Sequence, residues 1–477
     1  MYQVVWFKRD LRVEDHRPLV EAAARGPVLP LYIVEPEVYT APDYSAAHWQ
    51  FTRESLLELR EALAALGMPL VLRQGEAVRV LQSLPIARLW AHEETGNGVT
   101  YARDRRVRRW ARETGIPFVE FPANGVVRRL ANRNGWSKIW EDRMAEPILA
   151  APVLRPSTVE LGHIPTEREL GLSPLSFTDP QRGGTRTAKE VLSSFLTERG
   201  EHYHKELSSP LTAEHACSRL SPYLAYGNLS TKQVVQATRA ALARNGWKAA
   251  LRAFDGRLHW RCHFMQKLED EPRIEFENFV RAYDGMREPY FDAERFAAWK
   301  EGLTGYPMVD ACQRMLRAKG WINFRMRAML VSFASYHLWL HWREPALHLA
   351  KLFVDYEPGI HYSQFQMQSA TTGINTIRIY SPAKQQEDHD PAGIFLRRWI
   401  PEYGTPAYPP PIVDHKEAIA LARHRLGEFR RKTESREEAR AVMAKHGSRK
   451  RNPATKQKKA SSPAQPALFD QLGESGA

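Results

Sequence analysis

Two serines, Ser218 and Ser221, flank Arg219 and Leu220 just before Pro222, and this spacing predicts a phosphate-binding helix start. Serine hydroxyls and free backbone amides at a helix N-terminus bind a diphosphate, and the helix dipole assists them. The same residues also suit an ordinary helix start, in which a serine caps the helix and a proline follows. The segment alone leaves both interpretations open.

A second group, His259, Cys262 and His263, has the spacing of metal ligands on a helix. No second ligand pair is evident, so we expect these side chains to pack and predict no metal site. The other cysteines, Cys217 and Cys312, are distant in number and form no CxxC pair. Such usage excludes a disulfide framework and indicates a reducing compartment, so we expect a cytoplasmic protein.

Composition restricts the class of protein. The chain has 477 residues, of which 43% are apolar, so it can bury a large core in two or three domains. Lys plus Arg exceed Asp plus Glu by 68 − 55 = 13. This excess predicts a polyanionic partner, nucleic acid first, with a merely basic surface as the alternative. The longest apolar stretch, Ala328–Trp342, is interrupted by polar residues and indicates a buried helix, so no membrane association is expected.

The elements that would position these residues fall into two kinds. Up to residue 122, short apolar runs alternate with amphipathic stretches, which predicts a doubly wound parallel sheet with helices on its faces. The predicted strands are Val4–Phe7, Val28–Val34, Pro69–Arg73, Ala87–His92 and Pro117–Phe121, and the predicted helices are Leu19–Ala24, Trp49–Leu66, Glu76–Leu84 and Tyr101–Glu113. The segment Glu93–Gly98 follows the fourth strand and is either a ligand loop or a plain turn.

The rest of the chain divides into three parts. Residues 123–186 are rich in proline and predict an interdomain linker. Residues 187–425 are nearly all helical in pattern, which predicts an all-α domain. Residues 426–477 are predicted to be a basic disordered tail, since Lys445–Lys459 holds seven basic residues and no acidic one.

Several segments together resemble the photolyase/cryptochrome family, over roughly residues 2–403 and in family order. They are Trp6–Arg12, Cys217–Ser230, Ala298–Ala311, Gly320–Phe333, and Tyr380–Pro382 with Arg398–Glu402. The resemblance implies an N-terminal α/β antenna domain and a helical domain that binds FAD in a U shape. It implies no particular antenna chromophore, and Thr100 stands where the family has a folate-binding Glu.

The resemblance also implies a set of FAD-binding residues. Arg327 and Asp355 match positions that flank the isoalloxazine ring, where a guanidinium stabilises reduced flavin; a purely structural salt bridge is the alternative. Tyr203 matches a residue beside the phosphates. The full set is Tyr203, Cys217, Ser218, Arg219, Leu220, Ser221, Phe254, Phe324, Arg327, Asp355, Tyr356, Glu357 and His361.

Substrate contacts are predicted on one helix. Trp260 suits stacking on a base taken out of a DNA duplex, and Arg257 and Arg261 are predicted to act with it. Several positions depart from the family pattern. Arg257 replaces a Glu that binds the dimer, Phe324 and Ala328 replace the His pair of (6-4) enzymes, Met367 replaces a second pocket Trp, and His361 replaces the Asn facing the flavin.

Two functions follow from the resemblance, with a third as a weaker alternative. The first is light-driven repair of pyrimidine dimers in ultraviolet-damaged double-stranded DNA by a monomeric, FAD-dependent lyase. The second is a cryptochrome-type blue-light sensor without lyase activity, which the missing substrate groups favour. The third, a dark flavin oxidoreductase, explains neither the motifs nor the DNA-like features.

Two further expectations concern electrons and a partner. Trp299 and Trp342 match the outer members of the family's three-Trp electron line, but Phe365 occupies the position nearest the flavin. Trp339, Trp321 or Tyr362 are predicted to form a detour.

In the tail, Gln465, Leu468 and Phe469 resemble the peptide with which bacterial repair proteins bind the sliding clamp, the alternative being an adventitious apolar patch.

Overall fold

A five-stranded parallel sheet forms the first part of the molecule. The computed structural model describes residues 1–447 except 176 and 245. The strand order is β3-β2-β1-β4-β5, and every neighbouring pair is parallel. The strands are β1 (Tyr2–Phe7), β2 (Val28–Val34), β3 (Val71–Gln74), β4 (Ile86–His92) and β5 (Phe118–Phe121). The predicted parallel sheet is confirmed.

Apolar runs explain why β1 lies at the centre. Val4 pairs with Leu29 of β2 on one side and with Leu89 of β4 on the other. All three are fully buried, as expected for a strand covered on both faces. The covering helices are α1 (Arg17–Ala23), α2 (Pro36–Tyr39), α3 (Ala46–Ala65), α4 (Ala77–Gln82) and α5 (Gly98–Glu113). The sequence pattern missed the single-turn α2.

The strand order reverses between β1 and β4, which creates a crevice at their carboxyl ends. Lys8–Asp10 follows β1 at this edge, and Glu93 and Glu94 follow β4. The second part of the chain packs against the same edge. Leu11 N donates to Tyr226 O, and Arg12 Nη1 donates to Gly227 O.

The remaining described residues are mostly helical. The helices are α6 (Trp136–Ala145), α7 (Thr185–Ser194), α8 (Tyr203–Glu206), α9 (Ala213–Ala216), α10 (Ser221–Ala225), α11 (Thr231–Arg244), α12 (Lys248–Asp270), α13 (Ala293–Glu301), α14 (Pro307–Lys319), α15 (Phe324–Ser332), α16 (Arg343–Leu352), α17 (Pro358–Gln368), α18 (Pro382–His389), α19 (Ile394–Trp399), α20 (His415–Arg431) and α21 (Thr433–His446). Two π-helical turns, Phe195–Arg199 and Phe333–His337, and three 3₁₀ turns, Pro272–Glu275, Arg281–Tyr283 and Glu288–Tyr290, complete them. The predicted helical domain is confirmed.

Two features differ from the sequence prediction. The proline-rich linker contains α6, because Trp136, Trp140 and Met144 recur on one face and are buried. The predicted disordered tail is wrong for residues 426–446, which, apart from Lys432 between the two helices, belong to α20 and α21. Sparse apolar contacts hold this end: Leu426 is fully buried and Val442 nearly so. The sliding-clamp peptide predicted at Gln465, Leu468 and Phe469 lies outside the described residues.

The helix at the centre of the second part is α12. It packs against α17 on one side and against α11 on another. Its buried residues Leu251 and Leu258 continue the core that begins in the sheet, while Trp299, Met308 and Trp342 belong to a second core. None of the helices in the described part of the chain has the length and apolar character needed to span a bilayer.

Candidate functional site: a cavity in the helical domain

A cavity of about 300 Å³ opens between α12, α15, α17 and the segment 217–221. This volume lies within the range of cofactor and ligand sites. Most of the predicted site residues line it, namely Tyr203, Cys217, Ser218, Arg219, Ser221, Phe254, Arg257, Trp260, Arg261, Phe324, Arg327, Asp355, Tyr356, Glu357, His361 and Phe365. Residues more than 150 positions apart in the chain, such as Tyr203 and Phe365, are thus brought to one site.

The serine segment forms one end of the cavity. Ser221 is the first residue of α10, and Ser218 Oγ accepts a 3.4 Å hydrogen bond from Leu220 N. Arg219 has a φ of +58°, which turns the chain sharply here. Leu220, rather than a serine, occupies the cap position, and no side chain caps the helix. The ordinary capped start therefore does not form, and both serine hydroxyls line the cavity.

Leu220 is an exception among the predicted cofactor contacts. Its side chain is fully buried in the core and does not line the cavity. The adjacent carbonyls of Cys217 and Ser218 accept hydrogen bonds from the Arg199 guanidinium, which fixes the turn from behind. Burial raises the pKa of the Cys217 thiol to about 12, despite the neighbouring Arg219, so this thiol stays protonated and unreactive.

An ion pair crosses the wall of the cavity. Arg327 donates through Nη1 and Nη2 to the two oxygens of Asp355, at 3.0 and 2.9 Å. The Asp355 side chain is 4% exposed and that of Arg327 is 25% exposed. Arg327 Nε also donates to Ile322 O, at 2.7 Å. This bidentate geometry holds a guanidinium in one orientation beside the space that the resemblance assigns to the flavin.

A second charged group contains an unpartnered acceptor. Arg261 Nη2 donates to Glu357 Oε2 at 2.8 Å, and the Arg9 guanidinium lies 3.9 Å from the same oxygen. Glu357 Oε1 is buried at the cavity without a hydrogen-bond partner in the protein. A buried carboxylate oxygen of this kind needs a donor. An N–H group of a bound flavin would supply one, so the donor set fits FAD.

His361 is held by the backbone of a neighbouring helix. One imidazole nitrogen, Nε2, lies 2.9 Å from Ala346 O in α16 and donates to it. Burial lowers the pKa of His361 to about 4, although the contact with the carbonyl opposes the shift. The ring is therefore neutral at physiological pH and presents a polar but uncharged face to the cavity.

Aromatic rings and arginines form another part of the cavity lining, where Trp260 and Arg257 are only partly buried. Trp260 packs edge-on against His263 at 4.9 Å and lies 5.9 Å from Phe264. The Arg257 guanidinium lies over the Phe324 ring, at 5.3 Å from its centre. Phe264 was not predicted, although it follows Trp260 by four residues on α12, a spacing that places both on one face.

Other contributors were also missed by the sequence analysis. The apolar floor is formed by Leu207, Leu224, Leu258, Ile322, Val331, Phe353 and Ile360, and amides line it at Gln364 and Gln368. Trp321, one of the predicted detour residues, and Ala328, which replaces a His of the (6-4) enzymes, line it as well. Single apolar residues carry no local signal that separates a cavity wall from a core.

The predicted electron-transfer residues are divided between wall and core. Phe365 lines the cavity and also belongs to the second core, in which Trp299 and Trp342 are fully buried. Among the suggested detours, Trp321 lines the cavity beneath the Arg219 guanidinium. Tyr362 lies 6.3 Å from Trp342, ring centre to ring centre.

Trp339 is placed elsewhere. It packs in a third cluster beside Tyr336, under the guanidinium of Arg287, and does not line the cavity. Its φ of +53° is unusual for a residue with a large side chain. A detour through Trp339 therefore has no support from its position.

The possible metal ligands on α12 pack against aromatic rings. His259 contacts Trp136 and Trp140 at 4.9 Å each, and His263 contacts Trp136 at 6.0 Å. Among the described residues, three ligand-type side chains converge only at Asp10, His16 and His92. There, Asp10 Oδ2 accepts hydrogen bonds from His16 Nε2 at 2.9 Å and from His92 Nδ1 at 2.7 Å. Direct hydrogen bonds at these distances satisfy the carboxylate.

The candidate loop after β4 lies at a second, smaller cavity of about 100 Å³ at the sheet edge. Glu94, Gly96 and Asn97 line it, together with Thr100. The Asn97 side chain caps α5 by accepting from Thr100 N at 3.2 Å. The loop therefore acts as a helix cap and also faces a cavity, so its role as a ligand loop stays a prediction.

Comparison with known proteins agrees with this geometry. Residues 3–135 match the family model described as DNA photolyase, and residues 254–406 match the one described as the FAD binding domain of DNA photolyase. The chain is 33% identical to a deoxyribodipyrimidine photo-lyase of Thermus thermophilus over 436 residues, covering 87% of this chain and 96% of the relative. It is 29% identical to the corresponding protein of Halobacterium salinarum, covering 89% and 100%.

Solved structures lead to the same class. A class III photolyase of Agrobacterium tumefaciens superposes with a TM-score of 0.79 at 26% identity, covering 90% of this chain and 98% of that one. An archaeal photolyase of Sulfolobus tokodaii, solved with two FAD molecules, gives 0.75 at 26% identity, covering 89% and 99%. The chain belongs to the DNA photolyase family, and it is a photolyase-like flavoprotein whose cofactor is FAD.

Proposed function

We propose that this protein is a light-driven lyase that repairs pyrimidine dimers in ultraviolet-damaged double-stranded DNA. Reduced FAD, when bound, supplies the light absorption and the electron that splits the dimer. The observation that carries the proposal is the common position of two groups in one cavity. The Arg327–Asp355 pair lies at its wall, and the partly exposed Trp260 lines the same cavity.

The chain's own residues would divide the work as follows. Trp260 and Phe264 provide a stacking surface for bases taken out of the duplex. Arg257, held over Phe324, replaces the family's dimer-binding Glu by donating to pyrimidine carbonyls or to the phosphate between them. Arg261 is fixed by Glu357 and keeps positive charge at the cavity wall.

The cofactor would be held at three points. Ser218 and Ser221 would bind the diphosphate, Glu357 would accept from the flavin, and Arg327 would stabilise its reduced form. Deletion of any one contact removes a single interaction, whereas the apolar floor continues to exclude water. A single polar substitution is therefore expected to change the reduction potential of the bound FAD more than it changes the affinity for FAD.

The decisive experiment is a repair assay with chromatography of the bases. Chemically reduced protein is mixed with an oligonucleotide carrying one thymine dimer and illuminated with blue light, with a dark sample as control. Restored thymine in the illuminated sample alone supports the lyase. Intact dimer in both samples, with FAD bound, contradicts it.

A blue-light sensor is the second candidate, and one observation favours it. The position of the dimer-binding Glu is occupied by Arg257, whose guanidinium is already engaged with Phe324 and Tyr203. The chain is also 29% identical to a Cryptochrome-1 of Sinapis alba. Equal affinity for damaged and intact duplex would move the assignment to the sensor.

The partners follow from this proposal. Damaged DNA is the substrate, and the protein is proposed to work as a cytoplasmic monomer. The sliding-clamp contact through Gln465, Leu468 and Phe469 stays a prediction based on sequence alone.

A further inference from the structure

Two tyrosines share one buried carboxylate between the sheet and the helical domain. Asp43 follows α2, and its side chain is almost wholly buried. Asp43 Oδ2 accepts from Tyr356 Oη at 2.6 Å, from Tyr362 Oη at 3.3 Å and from Asn97 Nδ2 at 2.9 Å. The two phenol oxygens lie 3.2 Å apart.

Both tyrosines belong to the second core, and one of them also lines the cavity. Tyr356 lines the cavity, and its ring centre lies 6.4 Å from that of Tyr362. Tyr362 is 1% exposed and lies 6.3 Å from Trp342. Phe365, which lines the cavity from the same helix, has a ring that is much harder to oxidise than a phenol or an indole. A route of oxidisable rings therefore leads from Trp342 to Tyr362, and from Tyr362 to Tyr356 at the cavity.

The carboxylate is the feature that suits the tyrosines for electron transfer. Burial raises the pKa of Tyr356 and of Tyr362, and the nearby Asp43 charge raises both further, so both phenols remain protonated. A phenol that loses an electron becomes a strong acid and needs a base at hydrogen-bond distance. Asp43 Oδ2 is such a base. Trp342 Nε1, in contrast, donates at 2.8 Å to Asn278 Oδ1, an amide oxygen that is a poor base.

We infer that Tyr356 and Tyr362, with Asp43 as proton acceptor, form the electron donor to the flavin in place of an aromatic line through Phe365. The inference rests on the flavin of the proposed function. Tyr356 gives one electron to photoexcited oxidised flavin, and its phenol proton moves to Asp43 Oδ2. The products are a neutral tyrosyl radical, a protonated Asp43 and flavin reduced by one electron. An added thiol then returns one electron, and the proton goes back from Asp43 to the phenol.

The radical is shared by the two phenols and stays there. Hydrogen-atom transfer across the 3.2 Å contact moves it from Tyr356 to Tyr362 without a change in charge. Further transfer to Trp342 is disfavoured, because its indole N–H faces an amide and oxidation would leave a buried cation. A tyrosyl radical, rather than a tryptophanyl radical, is thus the expected product of illumination.

The test is time-resolved absorption and electron paramagnetic resonance of the FAD-loaded full chain, prepared with ordinary or ring-deuterated tyrosine. We expect a tyrosyl spectrum that narrows on ring deuteration and a radical that forms more slowly in D₂O. Tyr362→Phe should shorten the lifetime of the radical, and Asp43→Asn, which keeps an acceptor but not a base, should lower its yield at least tenfold. Tyr336→Phe, which removes a buried phenol outside the cavity, is the matched control.

Each outcome decides the inference. A tryptophanyl spectrum, or a yield that Asp43→Asn and Tyr362→Phe leave at the wild-type level, overturns the tyrosine donor. If Tyr356→Phe loses FAD, the two other variants still decide, since neither side chain lines the main cavity. Repair by chemically reduced wild-type protein bypasses this donor. Failure of repair therefore contradicts the proposed function, and failure of the radical assay contradicts only the inference.

Discussion

Among single residues, Trp260 offers the most direct test of substrate recognition. It lies on the face of α12 that lines the cavity, next to Phe264, and its indole is only partly buried. A base stacked on an aromatic side chain gains about 1–3 kcal/mol. Trp260→Ala is therefore expected to weaken binding of dimer-containing duplex by about that amount, measured by fluorescence anisotropy, while FAD stays bound.

A matched control comes from the same helix. Trp247 occupies the N-cap position of α12 and does not line the cavity, so Trp247→Ala should leave the preference for damaged DNA unchanged. Equal losses in the two variants would indicate damage to the helix rather than loss of a stacking surface. No loss in Trp260→Ala would contradict its role in substrate binding.

The ion pair at Arg327 is the second test on this scale. Asp355→Ala removes the carboxylate that orients the guanidinium through two hydrogen bonds of about 3 Å. Reduced FAD should then be less favoured, and its midpoint potential, measured by anaerobic titration, should fall. Glu402→Ala breaks the more exposed Arg314–Glu402 pair and serves as control. An unchanged potential in Asp355→Ala would show that the pair is only structural.

Among whole elements, α21 depends on a contact at the end of α12. Glu271 follows α12, and its Oε2 accepts from His446 Nε2 at 2.7 Å and from Lys445 Nζ at 3.0 Å. Burial acts to raise the pKa of Glu271, but the hydrogen bonds from His446 and Lys445 outweigh it and lower this pKa to about 2. A carboxyl whose pKa is lowered by folding stabilises the contact above its unfolded pKa of 4.5.

The contact should therefore weaken as the pH falls from 4.5 towards 2, as Glu271 takes up a proton. We expect the protection factors of the amide hydrogens of residues 433–446, corrected for the intrinsic pH dependence of exchange, to fall across this range before those of the sheet do. Glu271→Gln should show fast exchange of α21 already at neutral pH. Equal protection of α21 at both ends of the range in the wild type would contradict the role of this contact.

For the whole molecule, the basic segment beyond residue 447 is expected to add contacts with DNA phosphates to those made around the cavity. Six Lys or Arg residues occur in 449–459. Each phosphate contact changes the slope of log K against log salt by about 0.9. Truncation after Gly447 is thus expected to weaken binding to damaged and intact duplex alike and to reduce the slope by up to about 5.

A shorter truncation separates this effect from the clamp peptide. Removal of residues 460–477 deletes Gln465, Leu468 and Phe469 but keeps the basic segment. It should leave the salt dependence unchanged and abolish any capture of the chain by purified sliding clamp. A salt slope that is the same for the full chain and for both truncations would show that the basic segment makes no phosphate contacts.

The sequence by itself determined the sheet and the family. The strand predictions match the structure to within two residues at either end, for example Val28–Val34, because each apolar run is bounded by turn residues and needs no distant partner to be recognised. The motif around Ser218 and Ser221, and the pair Arg327 and Asp355, were predicted because short polar patterns persist within a family.

Tertiary structure alone decided which distant residues meet. Asp43 carries no local signal, yet it joins Tyr356 and Tyr362 more than 300 positions away. Helix α21 looked like part of a charged tail, because its stability comes from the Glu271 contact and a few buried apolar residues rather than from its own pattern. Local propensity and spacing specify elements, whereas burial and long-range hydrogen bonds, which depend on the packed chain, specify the site.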